Sequence, residues 1–291
     1  MLWQGRRGSS NVDDRRGLGG GGQVAVGGGI IGVIVLVLNF LIGGNTDPSQ
    51  LPQLPGSQQT SQLPPEQQRE EDARAEFAKV VLQETEDYWN KAFPQFMNAR
   101  YAEPRMVLFR NGVQSGCGQA SAASGPFYCP ADQQVYIDLS FYEELQNRFS
   151  APGDFAMAYV IAHEVGHHVQ YLMGTSEKMA RLQNQVSKEE YNQYSVRLEL
   201  QADFYAGLWA NYANQVVRED GRKLIEAGDI EEALNAANAI GDDRLQKQAT
   251  GEVRPESFTH GTSAQRMYWF KKGFQTGDMR QGDTFNATRL E

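Results

Sequence analysis

The sequence predicts an α+β protein, mainly helical with a small β-sheet, preceded by one transmembrane helix. Three observations lead there: a charge-free apolar run near the N-terminus, two short β-like stretches between residues 105 and 138, and a series of helical patterns after residue 140. At 291 residues the chain can hold one sizeable domain with appendages. A formal charge of -9 and a pI of about 5.1 argue against a nucleic-acid partner, because phosphate binding needs a dense cationic face.

The apolar run spans Val24 to Ile42, nineteen positions without a charge. As a helix it covers about 28 Å, enough for a bilayer. Four arginines (Arg6, Arg7, Arg15, Arg16) against two aspartates (Asp13, Asp14) precede it. The positive-inside rule then puts residues 1–23 in the cytoplasm and the rest of the chain outside, in a periplasmic or extracellular space. The run exceeds a usual signal-peptide core and no A-x-A-like site follows, so an uncleaved single-pass anchor is expected. Residues 43–65 carry five prolines among Gln, Ser and Gly and read as a flexible linker of about 26 Å. The folded domain is expected over 66–291.

Within that domain, Phe77, Val80, Val81, Glu84 and Tyr88 have helical spacing up to Pro94. Residues 105–110 (RMVLFR) and 134–138 (QVYID) are apolar, β-branched or aromatic between Gly, Pro and Asn, as strands are. Further helices are expected at 140–149, 154–173, 177–217, 229–240 and 262–275, the third of them broken near Ser187.

The helix at 154–173 contains His163-Glu164-Val165-Gly166-His167. Residues four apart share a helix face, so both imidazoles can reach one ion at zinc–nitrogen distances near 2 Å. Glu164 lies beside them and can reach a metal-held water instead of the metal. Catalytic zinc keeps three protein ligands and an open position, so a third ligand is required. Glu199, on a later helix flanked by Leu198, Ala202, Ala206 and Leu208, is the best candidate. Asp203, one turn on, is placed to orient a ligand histidine, with the reverse assignment of the two carboxylates as the alternative. Of the remaining histidines, His168 points about 100° away from His167 and reads as a packing residue. His260, just before the last apolar helix, is either a cap neighbour or a catalytic group. Cys117 and Cys129 stand twelve positions apart in a Gly/Ser/Ala-rich stretch, which suits a local disulfide if the domain lies in an oxidising compartment and two loop thiols if not.

At WQGRR, DDRR, the apolar run, GCG with PFYCPADQQVYID, HEVGHHVQ, LELQADFYAG and HGTSAQRMYWFKKGF, the chain resembles the neutral zinc metallopeptidase family of membrane-anchored bacterial proteins. More distantly it is similar to the gluzincins. The resemblance implies a zincin-like catalytic domain acting on a peptide or protein substrate. It implies Zn2+ held by His163, His167 and Glu199, with Asp203 as partner of the first histidine. The spacing of His260 and Arg266 is similar to a His-Pro motif of membrane-bound heat-shock metallopeptidases, with Gly261 in place of the proline. By the same resemblance, the 134–138 strand is expected to be an edge that binds the substrate backbone.

Overall fold

The computed structural model describes residues 1–17, 64–121 and 124–291. Its architecture is mixed α+β, with helices on one face of a small sheet. The sheet has four strands in the order β1, β2, β6, β5. Here β1 is Val12–Asp14, β2 Arg105–Phe109, β5 Phe127–Cys129 and β6 Gln134–Asp138. β1, β2 and β6 run parallel, and β5 is antiparallel to β6. A separate hairpin joins β3 (Gly112–Ser115) and β4 (Gly118–Ser121).

Side chains alternate across a strand, and β2 and β6 are buried on both faces. Met106, Leu108, Val135 and Ile137 join the large helical core. Val107, Phe109 and Tyr136 point the other way, into a smaller cluster with Val113, Ala120 and Cys129. The hairpin therefore covers the second face, and the Cys117–Cys129 disulfide ties it to the end of β5. The QVYID strand is accordingly an inner strand, contrary to its expected edge position; β5 occupies that side and is the edge beside the helical layer.

The helices are α1 (Pro65–Met97), α2 (Phe141–Asn147), α3 (Asp154–Leu172), α4 (Thr175–Leu182), α5 (Lys188–Ala213), α6 (Asp229–Ala239), α7 (Asp242–Thr250) and α8 (Ser263–Thr276). Proline is tolerated in the first turn of a helix, and Pro65 starts α1. The helix runs three residues past Pro94 to an Asn98 cap in the left-handed region. Ser187 marks the expected break: its side chain accepts the Glu190 N–H and caps α5. α7 carries no hydrophobic stripe strong enough to be predicted. α5 and α8 touch backbone to backbone. A β-carbon on Gly207 would come within 2.1 Å of the Phe270 carbonyl, and one on Gly273 within 2.2 Å of the Phe204 carbonyl.

The folded domain begins at the first residues, not at Glu66. Residues 1–17, expected as part of a separate cytoplasmic segment, belong to it. β1 finds its ladder partners at Met106, Val107 and Leu108. The Ser9 N–H donates to the Lys79 carbonyl, and the Met1 ammonium lies 3.0 Å from both Asp154 and Asp229. The segment also explains two buried carboxylates of α1. Glu84 pairs with Arg6 at 2.5 Å, and Glu86 accepts from Ser9 and Asn11. The expected span, 24–42, and the linker up to residue 63 lie outside the described residues. Among the described residues no helix is long and apolar enough to cross a membrane.

Two substitutions test this packing. Arg6→Met strands the Glu84 carboxylate and should cost about 3 kcal/mol in urea unfolding, most of it recovered in Arg6→Met/Glu84→Gln. Gly207→Ala should cost on the order of 1–3 kcal/mol by overpacking; an unchanged melting temperature would contradict so close a crossing of α5 and α8.

Candidate metal centre

α3 is buried for most of its length because apolar residues fill every face, from Phe155, stacked on Trp209, to Val169. Gly166 lets it approach α5: a β-carbon there would stand 3.1 Å from the Ala202 backbone. That approach brings Glu199 opposite the two histidines. His163 and His167 present their rings side by side, centroids 4.8 Å apart and planes perpendicular. Glu199 Oε2 lies 3.1 Å from His163 Nε2, and Oε1 lies 3.5 Å from His167 Nε2.

Two nitrogens and a carboxylate oxygen, each about 2 Å from a tetrahedral ion, stand roughly 3.3 Å from one another. The donor atoms of His163, His167 and Glu199 all lie within 4.8 Å of each other, so the set fits zinc in both chemistry and spacing. Burial alone would raise the Glu199 carboxyl, but His167, His163 and His260 hold it well below the usual range. Burial would lower His163; the Asp203 carboxylate at 2.7 Å from Nδ1 outweighs it and lifts the imidazole to about 10. A metal at Nε2 has to displace that proton.

Asp203 is saturated by other partners. Its Oδ1 accepts from Tyr159 Oη, His163 Nδ1 and Arg266 Nη2, and its Oδ2 from Arg266 Nε at 2.9 Å. Burial would raise this carboxyl, yet Arg266 and His163 drive it far down. Arg266, itself 3% exposed, also donates to Tyr159 Oη. Asp203 therefore orients His163, and Glu199 is the carboxylate that faces both Nε2 atoms. His167 takes a different partner, with Nδ1 2.9 Å from Gln170 Oε1.

Glu164 is 6% exposed, and no described residue donates a hydrogen bond to its carboxylate. Burial pushes its carboxyl up, opposed by His167 and His163. His260 comes from the loop before α8. Its Nδ1 lies 3.2 Å from Asp242 Oδ1, while Asp242 Oδ2 accepts the N–H groups of Thr259, His260 and Gly261. Burial lowers the His260 imidazole, but Asp242 and, more weakly, Glu199 raise it overall. Gly261 has φ of +94° and donates its N–H to Asp242. A proline could do neither, so the departure from a His-Pro pattern is built into the loop. His168 sits apart, held between Tyr128 Oη and the Ala102 carbonyl, with its imidazole pushed down to about 4 by burial.

Three contributors escaped the sequence reading. Tyr159 stands one turn before His163 on the same helix face, and Gln170 three residues after His167, so extending the helical spacing of the motif in both directions would have found them. Asp242 had no such signal, since it reaches His260 only through the fold.

A sequence profile of the family described as "putative neutral zinc metallopeptidase" matches residues 1–285. The uncharacterized protein YpfJ of Escherichia coli K12 is 46% identical over 297 residues, covering 99% of this chain and 100% of its own length. The uncharacterized protein Rv2575 of Mycobacterium tuberculosis H37Rv is 48% identical over 195 residues, 65% of each chain. No solved structure is a significant match. The profile runs from the docked N-terminal residues through the Glu199 helix and α8, and by that extent the chain belongs to the neutral zinc metallopeptidase family.

Proposed function

We propose that the protein is a zinc-dependent endopeptidase in which Glu164 activates the attacking water. The observation that carries this reading is the facing of His163 Nε2, His167 Nε2 and the Glu199 carboxylate, with Glu164 beside them and bonded to no other described residue. Zinc held there would supply a Lewis acid that lowers the pKa of a coordinated water towards about 7.

The chain's own groups do the rest. Glu164, pushed up by burial, accepts the proton of the attacking water and delivers it to the leaving amine. His260, kept a donor by Asp242, offers a hydrogen bond to the oxygen that gains charge as the carbonyl carbon becomes tetrahedral. Asp203 and Arg266, both buried, hold the His163 ring. A purely structural zinc site would need a fourth ligand, and the saturation of Asp203 by Arg266, Tyr159 and His163 weighs against recruiting it.

The substrate in this proposal is a peptide or protein, and the domain works in an oxidising, extracytoplasmic space, which the paired Cys117 and Cys129 favour. Membrane attachment through 24–42 is part of the same reading, but because residues 1–17 belong to the domain, both flanks of that segment would lie on one side of the bilayer, and it would enter and leave there instead of crossing once.

Two measurements test these statements. Glu164→Gln should retain stoichiometric zinc and lose peptide hydrolysis on the order of a hundred- to ten-thousand-fold, whereas His163→Ala should lose the metal. Undiminished hydrolysis by pure Glu164→Gln protein would defeat the mechanism. For topology, single cysteines at the exposed Ser10 and Thr288 should react with an impermeant maleimide from the same side of the membrane; reaction from opposite sides would contradict a docked N-terminal segment in the anchored protein.

A further inference from the structure

The two histidines of the centre are oriented by unlike groups. His163 Nδ1 meets the charged Asp203, but His167 Nδ1 meets the neutral amide of Gln170. Gln170 is fully buried, and its amide can point only one way. Its Nε2 lies 2.7 Å from the backbone carbonyl of Leu198, the residue before Glu199, and a carbonyl can only accept. Gln170 Oε1 therefore faces His167 and acts as the acceptor. The same Nε2 lies 3.1 Å from Gln201 Oε1.

Gln201 is fixed by the same logic. Its Nε2 donates to the Gly282 carbonyl at 2.9 Å, so its oxygen must face Gln170. Hydrogen bonds thus run in one direction: His167 Nδ1–H to Gln170, Gln170 to Leu198 and Gln201, and Gln201 to Gly282. The final acceptor is held firmly. A β-carbon on Gly282 would come within 2.5 Å of the Phe204 ring, so only glycine brings its backbone this close. Two residues on, the buried Thr284 donates to the Arg197 carbonyl, and Arg197 Nη1 donates to the carbonyls of Phe285 and Ala287.

We propose that Gln170 is the positioning residue of His167, and that a relay of buried amides from His167 through Gln170 and Gln201 to Gly282 makes the C-terminal segment part of the metal centre. The relay holds the proton of His167 on Nδ1 and leaves the Nε2 lone pair for the ion. As a neutral acceptor, Gln170 fixes the tautomer without adding a second negative charge beside the ligands. This inference rests on the reading of His167 as a metal ligand.

The test is zinc affinity of the full chain by competition with a chromophoric chelator, together with the visible spectrum of the cobalt-substituted protein. Gln170→Leu should bind zinc about 10- to 100-fold more weakly and shift the cobalt bands, because the ring loses the acceptor that orients it. Gln170→Glu, which restores an acceptor for Nδ1–H and in its protonated form can still donate to the Leu198 carbonyl, should recover part of that affinity. Gln201→Met should weaken zinc several-fold through the relay, although it lies out of reach of the ring. A merely structural role would lower the melting temperature of these variants and leave affinity and spectrum unchanged, and that result overturns the proposal. Should Gln170→Leu fail to fold, wild-type affinity in Gln201→Met overturns the relay by itself. His167→Ala separates the two readings: if it keeps wild-type affinity, the metal-centre assignment falls, whereas loss there with no effect at Gln170 and Gln201 sinks only the relay.

Discussion

The site depends on one buried ion pair. Asp203 on α5 is fully buried and would be costly there as a lone carboxylate. Arg266 on α8 neutralises it through both carboxylate oxygens, and Tyr159 and His163 on α3 fill the remaining acceptor capacity. Three helices are thus tied at a single carboxylate. Removing either charge would leave the other buried without its counter-charge, typically at about 3–5 kcal/mol. The pair forms because α5 and α8 approach through Gly207 and Gly273, and α3 meets α5 through Gly166. Metal-site geometry is here a consequence of helix packing.

The same helices explain why Glu199 can face the histidines without being drawn elsewhere. Asp203 lies one turn away and absorbs the only buried arginine of α8, so Arg266 donates to Asp203 and not to Glu199. The first carboxylate is left for the imidazoles, while the second takes the arginine. The partition comes from position alone, since the two side chains are chemically alike.

Local patterns made much of this legible from the residues. The spacing of His163 and His167, the apolar run around them, and the stripe carrying Glu199 and Asp203 are all written within a few helical turns. Ser187 announced its cap in the same local way. What the sequence hid depends on contacts distant along the chain. β1 is Val12-Asp13-Asp14, with no alternating apolar pattern, and is a strand only because β2 offers it a parallel partner. The arginines around it suggested a separate cytoplasmic segment; in the fold Arg6 answers Glu84, and Arg16 reaches Asp72 at 3.1 Å. QVYID was expected at an edge only by resemblance to zincin folds, since its apolar run says nothing about which strand lies beside it. Asp242 was invisible because its partner, His260, is brought to it by the loop ahead of α8.

The surroundings of the centre also bear on the charge that a metal held there would feel. Asp203 is balanced by Arg266, Gln170 and Gln201 are neutral, and Asp242 is balanced by the imidazolium it favours at His260. Among the candidate ligands Glu199 then carries the one charge, so a dication bound there would keep a net charge of about +1 with its ligands, the Glu164 carboxylate being the remaining unpaired charge beside it. Had His167 been oriented by a carboxylate without its own arginine, that charge would have fallen towards zero. On the proposed reading, a neutral amide at position 170 is the choice consistent with hydrolytic chemistry, because it offers the second imidazole an acceptor without adding charge beside the ligands.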